Sequence, residues 1–288
     1  MIPAPFDYQA PATLEEAVSL LASDLDGAKI LAGGHSLIPA MKLRLAQPQL
    51  LVDIARIKSL AYIREEGDKI LIGATTTHYQ LESSDLLKSI CPLMPDCAQN
   101  IGDVQVRNKG TIGGSVAHSD PAGDWPAAVL ALGADLVLVG PDGERTEKAD
   151  DFFVDLFTTS LLPGEILREI RIQKPSGRFG QAYQKVPHPA TGYAVVGIAV
   201  HLVLNDDGSC KSAAIGVTGV GAKAFRAQAV ETALAGTSLD DNAIATAVSH
   251  VCGGVDPNAD LYASSDYRCH LAQVHTRRAI EAAKSKVK

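Results

Sequence analysis

The chain has 288 residues, of which 46% are hydrophobic, and its 33 acidic and 26 basic side chains give a formal net charge of −7. This length allows two domains, and the hydrophobic content excludes wholesale disorder. The acidic balance argues against nucleic acid or an anionic membrane as the main partner. No apolar run reaches the roughly 20 residues of a membrane helix, and no export signal is evident, so we expect a cytoplasmic protein.

Five cysteines are present, namely Cys91, Cys97, Cys210, Cys252 and Cys269. An odd number in a chain expected to be cytoplasmic argues against a disulfide framework. No C-x-x-C pair occurs, so zinc or iron–sulfur ligation has little support. We therefore predict that all five are small buried hydrophobic side chains and that this chain holds no metal.

A helix–strand–helix–strand order is predicted near the N-terminus. Thr13 can cap a helix in which Leu14 and Leu21 share an apolar face. A strand over residues 28–32 leads into a glycine pair, a helix over residues 36–45 and a second strand over residues 50–54. Such a unit predicts a crossover between two parallel strands.

Strands and helices alternate through the rest of the chain. Strands are predicted over residues 62–63, 69–73, 135–139, 166–172, 194–204 and 212–220, and helices over residues 79–89, 95–101, 126–132, 226–234, 242–251 and from 265 to the basic end. The turn at residues 205–208 is typical of a hairpin. Lys174-Pro-Ser-Gly177 is the linker candidate. We predict two α+β domains, residues 1–177 and 178–288, with a subdomain boundary in the first near residue 56.

Two glycine-rich turns indicate the chemistry. The first is Leu31-Ala-Gly-Gly-His-Ser-Leu37 and the second is Gly110-Thr-Ile-Gly-Gly-Ser115. Each offers backbone N–H groups with no side chain in the way, which a diphosphate requires, and a following helix adds the positive end of its dipole. Two such cradles predict a long dinucleotide held from both ends, and hence a flavin carrier.

The first glycine turn resembles part of a nicotinamide-binding unit, which is an alternative to a flavin site. Asp53 ends a strand after the first turn, where an acid that binds ribose would stand. The fingerprint G-x-G-x-x-G is incomplete, however, because Leu37 stands where the third glycine is needed. Asp53 is therefore interpreted as a strand-end cap or a salt-bridge partner.

Polar side chains near the second turn have either a binding or a structural interpretation. Asp124 can accept hydrogen bonds from ribose or ribityl hydroxyls, whereas Asp120 is interpreted mainly as a loop and capping residue. His35 and His118 lie beside the turns, but neither belongs to a nucleophile–base pair, so no catalytic residue is predicted. Lys185 either meets the cofactor or is an exposed strand lysine.

Several motifs together carry a family resemblance. They are Ile2-Pro-x-x-Phe6-x-Tyr8, Ala32-Gly-Gly-His-Ser-Leu37, Leu51-Val-Asp53, Ile72-Gly-Ala74, Gln105-Val-Arg-Asn108, Gly110-Thr-Ile-Gly-Gly114 and Pro163-Gly-Glu165. With these motifs the chain resembles, nearly end to end, the FAD-binding medium subunit of the molybdenum hydroxylases. It is most similar to the aerobic carbon monoxide dehydrogenase type, which is related to the flavin domain of xanthine dehydrogenase.

The resemblance implies the following cofactor-binding residues. The diphosphate would be held by Ala32, Gly33, Gly34, His35 and Ser36 and by Thr111, Ile112, Gly113, Gly114 and Ser115. Asp124 would bind the sugar portion, Ile101 and Leu161 would lie against flavin or adenine, Lys185 would lie near the cofactor, and Tyr193 would pack on the isoalloxazine ring. Two departures are Ser115, where relatives often have Asn, and Val104 after Asp103, where Asp-Pro is common. Neither departure removes a backbone donor.

The resemblance also implies the fold and the partners. The fold would be the two-subdomain FAD-binding type of the vanillyl-alcohol-oxidase/PCMH class, with a C-terminal α+β domain. A small subunit with two 2Fe-2S clusters and a large subunit with the molybdenum cofactor would complete a dimer of heterotrimers, a heterohexamer in the cytoplasm or peripheral at the inner membrane face. This chain would pass electrons from the clusters to an external acceptor. The alternatives are a self-contained FAD-dependent reductase and a cofactor-free structural adaptor.

Overall fold

A computed structural model describes residues 1–287 of the chain. The N-terminal sheet has three parallel strands in the order β1-β3-β2. Its elements are β1 (Asp7–Gln9), α1 (Leu14–Ser23), β2 (Ala28–Leu31), α2 (Leu37–Lys42) and β3 (Leu50–Asp53). The parallel pairing of β2 with β3 confirms the predicted crossover.

The predicted capping residue of α1 is confirmed. The Thr13 hydroxyl accepts a hydrogen bond from the Glu16 backbone N–H at 3.2 Å. Val18 and Leu21 are buried against the N-terminal sheet. Asp53 acts as expected at its strand end, because its carboxylate accepts from the Ala55 N–H at 2.9 Å.

A second, five-stranded sheet has antiparallel pairs in the order β4-β5-β10-β6-β7. The elements of this part are, in chain order, β4 (Ile63–Glu66), β5 (Lys69–Gly73), α3 (His78–Ser83), α4 (Asp85–Ile90), α5 (Leu93–Ala98), α6 (Val104–Arg107), α7 (Ile112–His118), α8 (Asp124–Ala131), β6 (Asp135–Gly140), β7 (Gly143–Lys148), α9 (Ala149–Phe152), β8 (Phe153–Asp155), β9 (Thr158–Thr159) and β10 (Ile166–Gln173). Helices α5, α7 and α8 pack with this sheet in one apolar core that includes Trp125.

The single helix predicted over residues 79–89 is wrong. The chain is extended at Ser84 (φ −65°, ψ 113°), which ends α3 and begins α4. The Ser84 hydroxyl accepts from the Leu87 N–H at 3.3 Å, so this serine acts as an N-cap rather than as a helix-interior residue.

The C-terminal part is an antiparallel sheet of order β11-β12-β13-β14 covered by three helices. Its elements are β11 (Arg178–Pro187), β12 (Ala194–Leu204), β13 (Cys210–Thr218), β14 (Phe225–Arg226), α10 (Gln228–Leu234), α11 (Asp241–Val248) and α12 (Ser265–Ser285). The predicted hairpin between β12 and β13 is confirmed.

The C-terminal sheet holds the loop that leads into α8. The Thr218 hydroxyl contacts the carbonyl oxygens of Pro121 and Gly123, each at 2.8 Å. The Gly219 N–H donates to Pro121 O at 2.7 Å, and the Ala194 N–H donates to Ala122 O at 3.2 Å. The position of Asp124, the first residue of α8, is therefore fixed by both domains.

The prediction that all five cysteines are free is wrong for two of them. Cys91, Cys97 and Cys210 are buried thiols, as predicted, but Cys252 and Cys269 form a disulfide. Spacing along the sequence does not show that the segment after α11 meets the first turns of α12, so the pair was missed.

Within residues 1–287, no helix combines the length and the apolar character that membrane crossing requires.

Candidate functional site

A cavity of about 820 Å³ lies where the N-terminal sheet, α7 and the C-terminal domain meet. The turn after β2 and Leu161 line it, together with Thr111 and, from α7, Gly114 and Ser115. The loop between β11 and β12 reaches it with Thr191 and Tyr193. Small-molecule sites are typically about 300–1,000 Å³, so this cavity suits a large organic ligand.

The turn after β2 presents a row of backbone donors to the cavity. Gly33, Gly34, His35 and Ser36 all line it. Across residues 1–287, no protein acceptor engages their backbone N–H groups. Gly34 has φ +73°, a left-handed conformation that favours glycine. Successive free N–H groups in front of a helix form a concavity that binds anions.

The two glycine turns touch each other. A Cβ atom placed on Gly33 would lie 2.4 Å from the Lys109 carbonyl oxygen and 2.7 Å from Gly110 Cα. No side chain fits there, so Gly33 permits the close approach of the two turns as well as access to its own N–H.

The second turn uses its donors differently from the first. The Ile112 N–H donates to Thr76 O at 3.0 Å and the Gly113 N–H to Ala74 O at 2.9 Å. The Gly114 N–H donates to the Thr111 hydroxyl at 3.2 Å. The structure thus corrects the prediction that both turns offer the same row of free donors, because this one is anchored to the protein interior.

Asp124 lies at the cavity wall in a buried ion pair. Its carboxylate accepts from Lys185 Nζ at 2.9 Å and from the Tyr183 hydroxyl at 2.6 Å. Lys185 Nζ also donates to Asn100 O at 2.8 Å. Burial raises the pKa of Asp124, while Lys185 and Tyr183 oppose that effect. Two of the carboxylate's hydrogen-bonding positions are therefore already used by the protein.

The structure brings most of the predicted site residues to the cavity. Those that line it are Ala32, Gly33, Gly34, His35, Ser36, Ile101, Thr111, Gly114, Ser115, Asp124, Leu161 and Tyr193. Ile112, Gly113 and Lys185 are absent from its lining. Gly113 packs against Ala74, and Lys185 lies behind Asp124 with 3% of its side chain exposed.

Sequence reasoning missed two features of the site. His78, at the start of α3, is 4% exposed and lines the cavity. Phe157, at the tip of the β8–β9 hairpin, lines it beside the ring of His118. No local pattern marks His78, whose ring is held by Trp125, 47 residues away. The sequence shows the apolar pair Leu156-Phe157, but its place at a hairpin tip beside the cavity is visible only in the structure.

The residues present fit a dinucleotide. Four unpartnered backbone donors suit an anionic bridge, and Ile101, Leu161 and Phe157 supply apolar surface of the kind that flat rings contact. Tyr193, whose pKa is raised by burial and by the nearby Asp120, adds an aromatic face.

Comparison with known proteins agrees with this geometry. Residues 4–175 match the family described as the FAD binding domain in molybdopterin dehydrogenase, and residues 181–283 match the CO dehydrogenase flavoprotein C-terminal domain.

Individual relatives cover the whole chain. The carbon monoxide dehydrogenase medium chain of Afipia carboxidovorans is 41% identical over 288 residues, covering 100% of both chains. Subunit alpha of the 6-hydroxypseudooxynicotine dehydrogenase complex of Paenarthrobacter nicotinovorans is 37% identical, covering 98% of this chain and 96% of that one. A structure of carbon monoxide dehydrogenase from Hydrogenophaga pseudoflava, lacking the Mo-pyranopterin moiety, superposes with a TM-score of 0.97 at 41% identity and full coverage of both chains.

The fold, the cavity and these matches define a flavoprotein. The chain belongs to the family of FAD-binding medium subunits of the molybdenum-containing dehydrogenases, which are oxidoreductases.

Proposed function

We propose that FAD lies in the cavity with its diphosphate on the turn after β2. The supporting observation is the row of unpartnered backbone N–H groups from Gly33 to Ser36, which nothing else in residues 1–287 satisfies. Thr111, Gly114 and Ser115 complete the diphosphate site from the other side. Ile112 and Gly113 take part indirectly, by fixing α7 against Ala74 and Thr76.

The remaining contacts follow the shape of the cavity. Asp124 accepts a sugar hydroxyl with the oxygen lone pairs that Tyr183 and Lys185 leave free. Ile101 and Leu161 pack against the flavin or the adenine. Tyr193 covers the isoalloxazine ring. Lys185 acts through Asp124, whose carboxylate it holds in place.

The chain serves as the electron-transfer subunit of a molybdenum hydroxylase complex. Bound FAD takes up electrons singly and releases them singly or in pairs. The electrons come from two 2Fe-2S clusters on a small partner subunit, after substrate oxidation at molybdenum on a large one. They leave to an external acceptor. The assembly is a dimer of heterotrimers, placed in the cytoplasm or peripherally at the inner membrane face.

The substrate is determined outside this chain. The named relatives are subunits of dehydrogenases named for two different substrates, carbon monoxide and 6-hydroxypseudooxynicotine. Carbon monoxide, an N-heterocycle and an aldehyde therefore all remain candidates. Identifying the chains that copurify with this one decides among them.

Flavin content and turnover separate the proposal from its rivals. The purified chain should carry about one extractable FAD per polypeptide, whereas a structural adaptor would be colourless. With a nicotinamide donor alone it should turn over poorly, whereas a self-contained reductase would turn over fast.

A matched pair of glycine variants tests the location of the cofactor. Gly34 and Gly67 both have positive φ, +73° and +61°, so alanine strains the backbone at either position. Only Gly34 lines the cavity. Gly34→Ala should lose FAD while Gly67→Ala retains it, and equal retention would place the diphosphate elsewhere.

A further inference from the structure

His78 is locked between the second glycine turn and the buried core. Its backbone N–H donates to Gly110 O at 2.9 Å, and the preceding residue forms a bridge with Thr111. Its ring lies in the cavity wall although the residue is only 4% exposed. The ring therefore has a fixed position relative to both glycine turns.

The protonation of this ring is also fixed. The Trp125 indole Nε1–H donates to His78 Nδ1 at 2.9 Å, so Nδ1 is an acceptor and carries no proton. Burial, together with the nearby charges of His35 and Arg107, lowers the pKa of His78 to about 4. At neutral pH the ring is uncharged, and its one proton is on Nε2.

The Nε2–H group has no acceptor within residues 1–287. A Cβ atom on Gly110 would lie 2.6 Å from Nε2, and one on Gly33 would lie 2.7 Å from Gly110 Cα. Nε2 is thus beside the junction of the two turns. Nε2 is not one of the fully enclosed polar atoms that lack a partner, so it opens on the cavity, where a ligand oxygen at this junction can accept its hydrogen bond.

We propose that His78 is a binding residue whose Nε2–H donates a hydrogen bond to a phosphate oxygen of the bound dinucleotide. The inference rests on the function proposed above. His78 would add a neutral side-chain donor to the backbone donors of the first turn. It lies beside the second turn, where the N–H groups of Ile112 and Gly113 donate to protein carbonyls and are not free for a ligand. Trp125 is the positioning residue, because its indole sets which ring nitrogen carries the proton.

Two substitutions separate this donor from the packing role of the ring. His78→Gln and His78→Met have similar length; the Gln amide oxygen can still accept from Trp125, whereas the Met thioether is only a weak acceptor. Only Gln retains an N–H donor near the Nε2 position. Titrating the full-length FAD-free chain with FAD should give a Kd for His78→Met about tenfold weaker than that for His78→Gln. Phosphorus NMR of bound FAD should show shifted diphosphate resonances in the Met variant only.

The outcomes are distinct. Equal Kd values and unchanged phosphorus resonances in the two variants would overturn the inference, and a weaker Kd with unchanged resonances would overturn the assignment to phosphate. Wild-type protein that binds no FAD would instead refute the function itself. A measurement on wild-type protein needs no variant to fold: with nitrogen-labelled histidine, FAD binding should shift the Nε2 resonance of His78, and an unmoved resonance would contradict the contact.

Discussion

Asp124 and Lys185 form a buried ion pair in which each charge is stabilised by the other. Their side chains are 6% and 3% exposed, so each charge depends on the other for stabilisation. Removing one partner of a buried pair leaves an uncompensated charge, which typically costs about 3–5 kcal/mol.

We expect Lys185→Met to lower the free energy of unfolding by about that amount, 3–5 kcal/mol in urea titrations. The double variant Asp124→Asn/Lys185→Met should lose less than the sum of the single changes. Lys174→Met, which breaks a partly exposed pair with Glu65, is the control and should cost less than about 1 kcal/mol. Additive single effects would contradict the coupling.

A second prediction at this scale concerns pH. Burial, with the charge of Arg226, lowers the pKa of His201 on β12 from 6.5 to about 4. Between about pH 4 and pH 6.5, His201 is protonated in the unfolded chain and neutral in the folded chain. Stability is therefore complete above pH 6.5 and falls as the pH drops, by up to about 1.4 kcal/mol per pH unit.

His201→Gln should reduce this loss of stability, measured as unfolding free energies on both sides of the histidine transition. Its Gln181 neighbour, 3.1 Å from Nδ1, can still be satisfied by an amide. A variant whose stability follows the wild-type pH curve would show that His201 titrates normally in the fold.

Among the elements, α7 illustrates how glycines serve two different purposes. A Cβ atom on Gly113 would lie 2.4 Å from Ala74 Cβ and 2.6 Å from its carbonyl oxygen, whereas one on Gly114 would lie 2.8 Å from the Thr111 hydroxyl and in ordinary contact with Ala32 Cβ at 3.8 Å. The first glycine brings the helix against the end of β5, and the second keeps the cavity side open.

Gly113→Ala should therefore destabilise the protein by about 1–3 kcal/mol in thermal or urea unfolding, because backbone must move. Gly114→Ala should stay within about 1 kcal/mol of wild type, since the gain in helix propensity offsets a weakened cap. A larger loss of stability in Gly114→Ala than in Gly113→Ala would mean that the contact with Ala74 does not hold α7 in place.

The disulfide joins the end of one helical segment to the next. Cys252 and Cys269 are separated by 17 residues, and a loop of this size gains about 3 kcal/mol from cross-linking. Unreduced protein unfolded in denaturant should expose three reactive thiols and reduced protein five, counted with a thiol reagent. A count of five reactive thiols in the unreduced protein would show that Cys252 and Cys269 are not disulfide-bonded.

For the whole molecule, the cavity depends on parts that are far apart in sequence. The turn after β2 comes from the N-terminal sheet, whereas Tyr193 comes from the loop between β11 and β12. Ser36 of the first turn lies near the Tyr193 hydroxyl, so the two domains meet across the cavity mouth.

Tyr193→Ala should weaken FAD binding by up to about tenfold, because an aromatic contact contributes about 0.5–1.5 kcal/mol. Tyr193→Phe should bind FAD almost as wild type does, since the ring is retained. Tyr267→Ala, at an equally exposed tyrosine absent from the cavity lining, is the control. The measurement is FAD titration by flavin fluorescence, and unchanged affinity in Tyr193→Ala would place the ring away from the cofactor.

Local sequence determined much of the architecture. Several features depend on interactions between near neighbours in the chain. They are the helix cap at Thr13, the strand–turn–helix unit around Gly33 and Gly34, and the hairpin at residues 205–208. Capping, apolar periodicity and turn preference can therefore be recognised from sequence. The cofactor class was also predicted from sequence, from the two glycine-rich turns and from the motifs shared with the FAD-binding medium subunits.

Only the tertiary structure decided how the donors are used. Whether an N–H is free depends on what lies opposite it, and Ala74 and Thr76 occupy the donors of Gly113 and Ile112 from another strand end. The tautomer of His78 is set by Trp125, and the Cys252–Cys269 bond depends on how a loop meets a helix. These are long-range contacts fixed by packing of the whole core, so no local pattern in the sequence encodes them.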